Sequence, residues 1–203
     1  MKITGRPEYH PGGFFISGRY LCASTDKTML ALLRAFLFKK ALLDLLASQK
    51  RSRQVHTIDS ARTIGVLFDA SAESTRRESL EFLKSLEKQG KKVSSLGFFN
   101  ESKLPENQPF DCFSKKECSW IDQPKSEKAA DFTKQKFDLL LMLNPDNLAQ
   151  LEWLAAQSQA AFKIGFATSR PNDFDIQLET PEGKGIRYFT EQLALYLGKI
   201  VLK

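Results

Sequence analysis

Cysteine and histidine are scarce in this chain. Its 203 residues hold three Cys and two His. An odd and sparse set, Cys22, Cys112 and Cys118, does not make a disulfide framework in a chain of this length. Cys112 and Cys118 have no histidine near them in sequence, since the two are His10 and His56, so no zinc spacing is present and no metal site is expected. Long apolar runs are missing too. The longest, Met29–Phe38, is broken by Arg34 and followed by Lys39 and Lys40, well short of the ~20 residues that span a bilayer. Nothing after Phe38 resembles the small-residue cleavage site of a secretory signal. A cytoplasmic protein is expected, either free or peripheral to the inner face of the membrane. Neither G-x-G-x-x-G nor G-x-x-x-x-G-K-[ST] occurs, so the usual dinucleotide and P-loop arrangements are absent and no cofactor is expected.

What is present is ordinary in amount and uneven in placement. Apolar residues make up 42% and charged residues 27%, as in a soluble globular protein. The net charge of +6 is segregated: up to Arg62 there are eleven Lys and Arg against four Asp and Glu, whereas from Thr63 onward there are nineteen against twenty. The basic character therefore belongs to the leading segment, and the remainder is nearly neutral.

Residues 1–28 show no periodicity and contain Pro7, Pro11, Gly12, Gly13 and Gly18, which predicts irregular chain. Met29 opens the first patterned stretch directly afterwards, as it would if the translation start had been placed too far upstream. Native peptides from before Met29 would remove that idea. Residues 29–62 read as a basic amphipathic helix and linker. Arg34, Lys40, Asp44, Ser48 and Arg51 form one polar stripe, and Leu32, Ala35, Phe36, Phe38, Leu42, Leu43 and Leu46 fill the wide apolar remainder. Two readings stay open: the helix packs on its own domain, or it engages an anionic surface, either lipid headgroups or RNA. Docking on such a surface would fall to Lys39, Lys40, Lys50, Arg51 and Arg53, with Arg62 added for RNA or a ribonucleoprotein.

From 63 to 203 short apolar runs alternate with helical patterns. Strands are expected at Thr63–Phe68, Lys92–Phe99, Phe110–Phe113, Phe137–Leu143, Ala161–Phe166 and Phe174–Leu178. Helices are expected at Ala72–Gln89, Ser126–Gln135, Leu148–Ser158 and Gly185–Val201. Thr75 and Glu78 have capping-box spacing, Gly90 suits a helix C′ position, and Ala129, Ala130 and Phe132 are expected inward. The alternation predicts an α/β fold, a three-layer Rossmann-like domain with a mainly parallel sheet, preceded by the basic helix. It does not predict strand order.

The segments Ile64–Ala70, Phe113-Ser114-Lys115-Lys116, Phe137–Leu140 with Leu143-Asn144, and Phe162-Lys163-Ile164-Gly165 resemble an uncharacterised bacterial family, a domain of unknown function. The likeness runs from about Leu30 to the end. A weaker likeness, carried by Phe137–Leu141 and Phe162–Phe166, runs to the N-terminal half of heptosyltransferase-type glycosyltransferases. It implies a Rossmann-like fold. The glycine-rich turn after their first strand is replaced here by Asp69-Ala70-Ser71-Ala72-Glu73, and the chain is too short for their second, nucleotide-sugar domain.

In open parallel sheets ligands bind at the carboxyl ends of strands. That edge should present Asp69, Ser71, Asn144, Asp146 and the loop beyond Phe166. Asp69 and Asp146 can serve as a general base or hold a cation; alternatively Asp69 and Ser71 cap the next helix and Asp146 or Asn147 the one after. Gly183-Lys184-Gly185 offers amides to an anion, or is a plain turn. Lys115-Lys116 with Phe113 and Trp120 can stack on nucleic acid, or are a solvated loop over an aromatic contact. Two functional expectations result: a non-catalytic binding or adaptor domain tethered to a membrane or RNA by its helix, and a reduced glycosyltransferase-like or nucleotide-binding enzyme working at the strand edge. The sequence does not name a small-molecule ligand.

Overall fold

The computed structural model describes residues 22–199. Its elements are α1 (Cys22–Ser48), β1 (Thr63–Asp69), α2 (Glu73–Lys88), β2 (Lys92–Phe99), β3 (Asp111–Ser114), a 3₁₀ turn (Lys115–Glu117), α3 (Glu127–Lys134), β4 (Leu139–Leu143), α4 (Ala149–Gln157), β5 (Phe162–Phe166), β6 (Ile176–Leu178) and α5 (Ile186–Leu197). Each expected strand and helix is present. One sheet of six strands in the order β3-β2-β1-β4-β5-β6 joins them, and every pairing is parallel.

The runs of β-branched and large apolar residues make both faces of the sheet dry, as a sheet covered on two sides requires. One layer packs Ile64, Val66 and Phe68 of β1 and Leu139, Leu141 and Leu143 of β4 against α2 and α5, through Leu83, Leu86, Phe189 and Leu193. The opposite layer packs Leu67, Leu96, Phe98, Leu140 and Met142 against α3 and α4, through Phe132, Leu151 and Leu154. The three-layer expectation holds. In α3, Ala129 and Phe132 are buried, while Ala130, expected inward, faces solvent.

Two glycines are placed by geometry. Gly90 sits at φ +75° just past α2, where its N–H bonds to the Glu87 carbonyl, a left-handed position that a Cβ disfavours. Gly65 lies under the Phe137 ring, and a Cβ there would stand 2.7 Å from it.

The helical start comes earlier than the pattern implied: α1 begins at Cys22, so residues 22–28 are helical rather than irregular. Residues 1–21 and Ile200–Lys203 lie outside the described residues, and with them most of the irregular leader and Ile200. The compact body comprises Arg34–Lys203. Within it, α1 seats Phe38 and Leu42 on Trp153 and Ala156 of α4, with the Phe38 and Trp153 rings 5.8 Å apart.

The segment after α1 is anchored by Arg51. Its guanidinium donates to both oxygens of Asp175 at 2.8 and 2.9 Å and to the carbonyls of Ala160, Ala161 and Asp173. Beside it Lys163, wholly buried on β5, donates to Asp173 at 2.7 Å and to the Ala155 carbonyl. Burial pushes the Lys163 ammonium down to about 8, against the pull of Asp173. Two cations and two carboxylates thus neutralise one another inside the body.

At the amino edge of the sheet, Asp138 Oδ2 accepts the N–H groups of Arg62 and Thr63 at 2.8 and 2.9 Å. Burial raises its carboxyl, and these hydrogen bonds outweigh that and leave it below the usual range. A carboxylate whose folded pKa is depressed stabilises above its unfolded value, and the contribution is lost as pH falls through the folded value. Asp138→Asn should therefore cost about 1 kcal/mol at pH 7, with the gap to wild type closing below roughly pH 4. Thermal melts of both proteins from pH 7 to pH 3 check this; a gap that is independent of pH would contradict it.

Candidate functional site

The strand order reverses direction between β1 and β4, whose carboxyl ends lie side by side with Phe68 opposite Leu143. Asp69 and Asn144 are thereby neighbours at the crevice where open α/β sheets hold ligands. Both side chains are spent on their own turns. Asp69 is buried and its Oδ1 accepts the Ser71 N–H at 2.8 Å. The Ser71 hydroxyl accepts the Asn100 N–H at 2.9 Å, tying the ends of β1 and β2 together. Asn144, fully buried, closes a ring on Leu148: its Oδ1 accepts the Leu148 N–H at 2.8 Å and its Nδ2 donates to the Leu148 carbonyl at 3.0 Å.

The helix caps differ from expectation. Ala72 and Leu148 occupy the N-cap positions of α2 and α4, and neither gives a side-chain cap. The spacing of Thr75 and Glu78 is not a capping box, because α2 already starts at Glu73. Glu78 acts across the fold instead. Its carboxylate accepts the Arg187 N–H at 3.0 Å in the first turn of α5, supplying the negative charge that a helix N-terminus favours. The amides after Gly183-Lys184-Gly185 therefore already hold an internal carboxylate.

Asp146 stands apart from the other three. It lines a cleft of about 600 Å³ beyond β4, β5 and β6, with Asn147, Glu179, Thr180, Glu182 and Lys184. Deeper on that side, Glu152 of α4 is buried and accepts from Arg170 at 2.6 Å and from Thr168 at 3.0 Å. Burial raises its carboxyl and Arg170 opposes the shift. Arg170 also donates to the Asn147 carbonyl. These residues fix the loop after β5 to α4; their long sequence separation gave no motif to read. Oxygen acceptors dominate the cleft, which suits hydrogen-bond donors.

Neither Cys112 nor Cys118 is activated for attack. Burial pushes Cys118 up to about 12, and Cys112 is raised for the same reason. His56 lies at the amino edge near Asp138, away from the strand ends discussed above, and His10 falls outside the described residues. Among the described residues no group of three His, Cys, Asp or Glu is placed to hold a metal ion.

The residues expected to meet an anionic surface divide. Lys39, Lys40 and Lys50 are exposed. Arg51 is not available, since its side chain is only 3% exposed and ion-paired. Arg53 is largely exposed, with Nε 3.6 Å from Asp175. The apolar remainder of α1 is only half used. On the side facing away from Phe38 and Leu42, Phe36 is 64% and Leu43 is 47% exposed. Of the two readings of Lys115-Lys116 with Phe113 and Trp120, stacking on nucleic acid loses Phe113, which is buried against Phe98 with ring centroids 4.9 Å apart. No helix among the described residues is long and apolar enough to cross a membrane.

Sheet order, parallel pairing and helices on both faces define a Rossmann-like α/β domain. The chain belongs to the family of unknown function DUF6913, whose model matches residues 34–200. No curated protein matches it. Among solved structures it is similar to an exopolyphosphatase-related protein from Bacteroides fragilis, at 15% identity and a TM-score of 0.44, over 81% of this chain and 44% of that one. The chain thus spans less than half of that protein.

Proposed function

We propose that this chain is a non-catalytic docking domain that binds an anionic bilayer surface through the outer face of α1. The observation that carries the reading is the second apolar side of that helix. Phe38 and Leu42 satisfy the body, yet Phe36 and Leu43 stay in water with Lys39 and Lys40 exposed between them in sequence. Exposed aromatic and aliphatic groups beside unpaired lysines are the composition of an interfacial helix. Asp44 is the one acidic residue on this part of the helix. Each lysine contributes about 1 kcal/mol near an anionic leaflet, and each inserted apolar side chain roughly 1.5–3 kcal/mol if fully buried. Such a sum gives reversible, salt-sensitive attachment. RNA would gain little from Leu43 and its neighbours, so lipid is the better match.

Flotation of the full chain with phosphatidylglycerol/phosphatidylcholine vesicles tests this. Wild type should float with anionic vesicles and much less with pure phosphatidylcholine. Lys39→Glu/Lys40→Glu and Phe36→Ser/Leu43→Ser should each remove most of the binding, and 0.5 M salt should weaken it. A wild-type chain that ignores anionic vesicles refutes the reading; a mobility shift with RNA that depends on the same lysines would replace lipid by RNA.

A further inference from the structure

We infer that the chain forms a two-fold dimer through the open edge of β6 and the flank of α5. The two edge strands of the sheet, β3 and β6, differ in character. β3 is guarded by charge: Asp111 pairs with Lys128 at 3.1 Å, and Lys115 and Lys116 follow the strand. Such groups keep an edge from pairing with another chain. β6 reads Ile176-Gln177-Leu178 and holds neither a charged residue nor a proline. The Leu178 carbonyl accepts the Ala167 N–H on the β5 side. Backbone groups of successive strand residues point to opposite sides, so the N–H and C=O of the exposed Gln177 face outward from the edge.

Beside that edge runs a groove of about 540 Å³ whose α5 wall is Tyr188, Gln192 and Tyr196, a single stripe at a spacing of four. Ile176 and Leu178 form its other wall. Tyr196 and the adjoining Leu195 are 52% and 58% exposed. Protein interfaces are enriched in tyrosine and depleted of charge at their centres. A second copy fits this surface by symmetry. Antiparallel pairing about a two-fold axis at Gln177 lets the two Gln177 residues exchange both backbone hydrogen bonds. It sets Ile176 of each copy opposite Leu178 of the other, apolar on apolar. The axis runs perpendicular to the joined sheet, so both α5 helices lie on one side of it and their tyrosine stripes meet. Charges match at the ends as well. Glu179 is exposed just past β6 and makes no ion pair among the described residues. The same pairing carries it to the start of β6 in the second copy, where Arg53 is largely exposed beside Asp175.

Sedimentation equilibrium of the full chain without lipid, from about 1 to 200 µM, tests this over the range suited to an interface of modest area. Wild type should be dimeric at the upper end. Leu195→Glu/Tyr196→Glu sets like charges across the axis and should weaken association at least roughly tenfold. Gln177→Pro removes the outward N–H that β5 does not use and should also weaken it, whereas Gln177→Ala, which keeps that N–H, should not. Glu179→Arg should weaken the dimer, and adding Arg53→Glu should restore it. Circular dichroism of each variant establishes that it is folded. Wild type that stays monomeric throughout overturns the dimer and leaves the α1 reading untouched. A dimer indifferent to the α5 change and to Gln177→Pro also overturns it, since another face would then be in contact. A dimer lost with the α5 change but unaltered in Gln177→Pro overturns the strand pairing.

Discussion

Arg51→Ala should lower the stability of the chain by about 3–5 kcal/mol, the range for breaking a buried ion pair by removing one partner. The loss exceeds that of a surface charge for a stated reason. The guanidinium serves both oxygens of Asp175 and three backbone carbonyls from a nearly closed site. Without it Asp175 keeps only the Lys163 N–H and the distant Arg53, and Asp173 must share Lys163 alone. Lys cannot reproduce a planar five-donor fork, so Arg51→Lys should recover less than half. Urea unfolding of the three proteins measures this. A loss below about 1 kcal/mol in Arg51→Ala would show the cluster to be solvated and would return Arg51 to the surface cations.

The second large effect is expected at the seat of α1. Trp153→Ala should cost about 3–5 kcal/mol, as large aromatic truncations in cores do. It removes the ring on which Phe38 and Leu42 rest. Because the remaining ties of α1 are few, the change should also be local. Residues Arg34–Ser48 should become sensitive to trypsin at Lys39 and Lys40 at urea concentrations where the sheet remains protected from hydrogen exchange. Loss of protection throughout the sheet together with α1 would instead mean that helix and body unfold as one unit.

Much of this architecture is legible in the chain itself. Continuous runs such as Leu139–Leu143 announce strands buried on both faces, and the 3.6-residue spacing of Ile186, Phe189, Leu193 and Leu197 announces α5. Strand order is not legible, because β2 connects to β3 and β5 to β6 through irregular segments that carry no periodicity. The edge residues were locatable, since a turn after a buried strand falls at the carboxyl edge by topology. Their roles were not: Asn144 closes its own turn and Glu78 caps a helix 109 residues away. The double character of α1 was half visible. Its apolar arc is wider than one contact can cover, which the sequence displays, but which half the body takes depends on Trp153, a residue 115 positions beyond Phe38.

The reach of Arg51 has a consequence for biosynthesis. Its partner Asp175 follows 124 residues later, so the clamp cannot close until that much further chain has emerged from the ribosome. Until Trp153 and Ala156 have been made as well, the nascent chain carries α1 with Phe38 and Leu42 as bare as Phe36 and Leu43. The emerging protein therefore carries more bare apolar surface along this helix than the finished one.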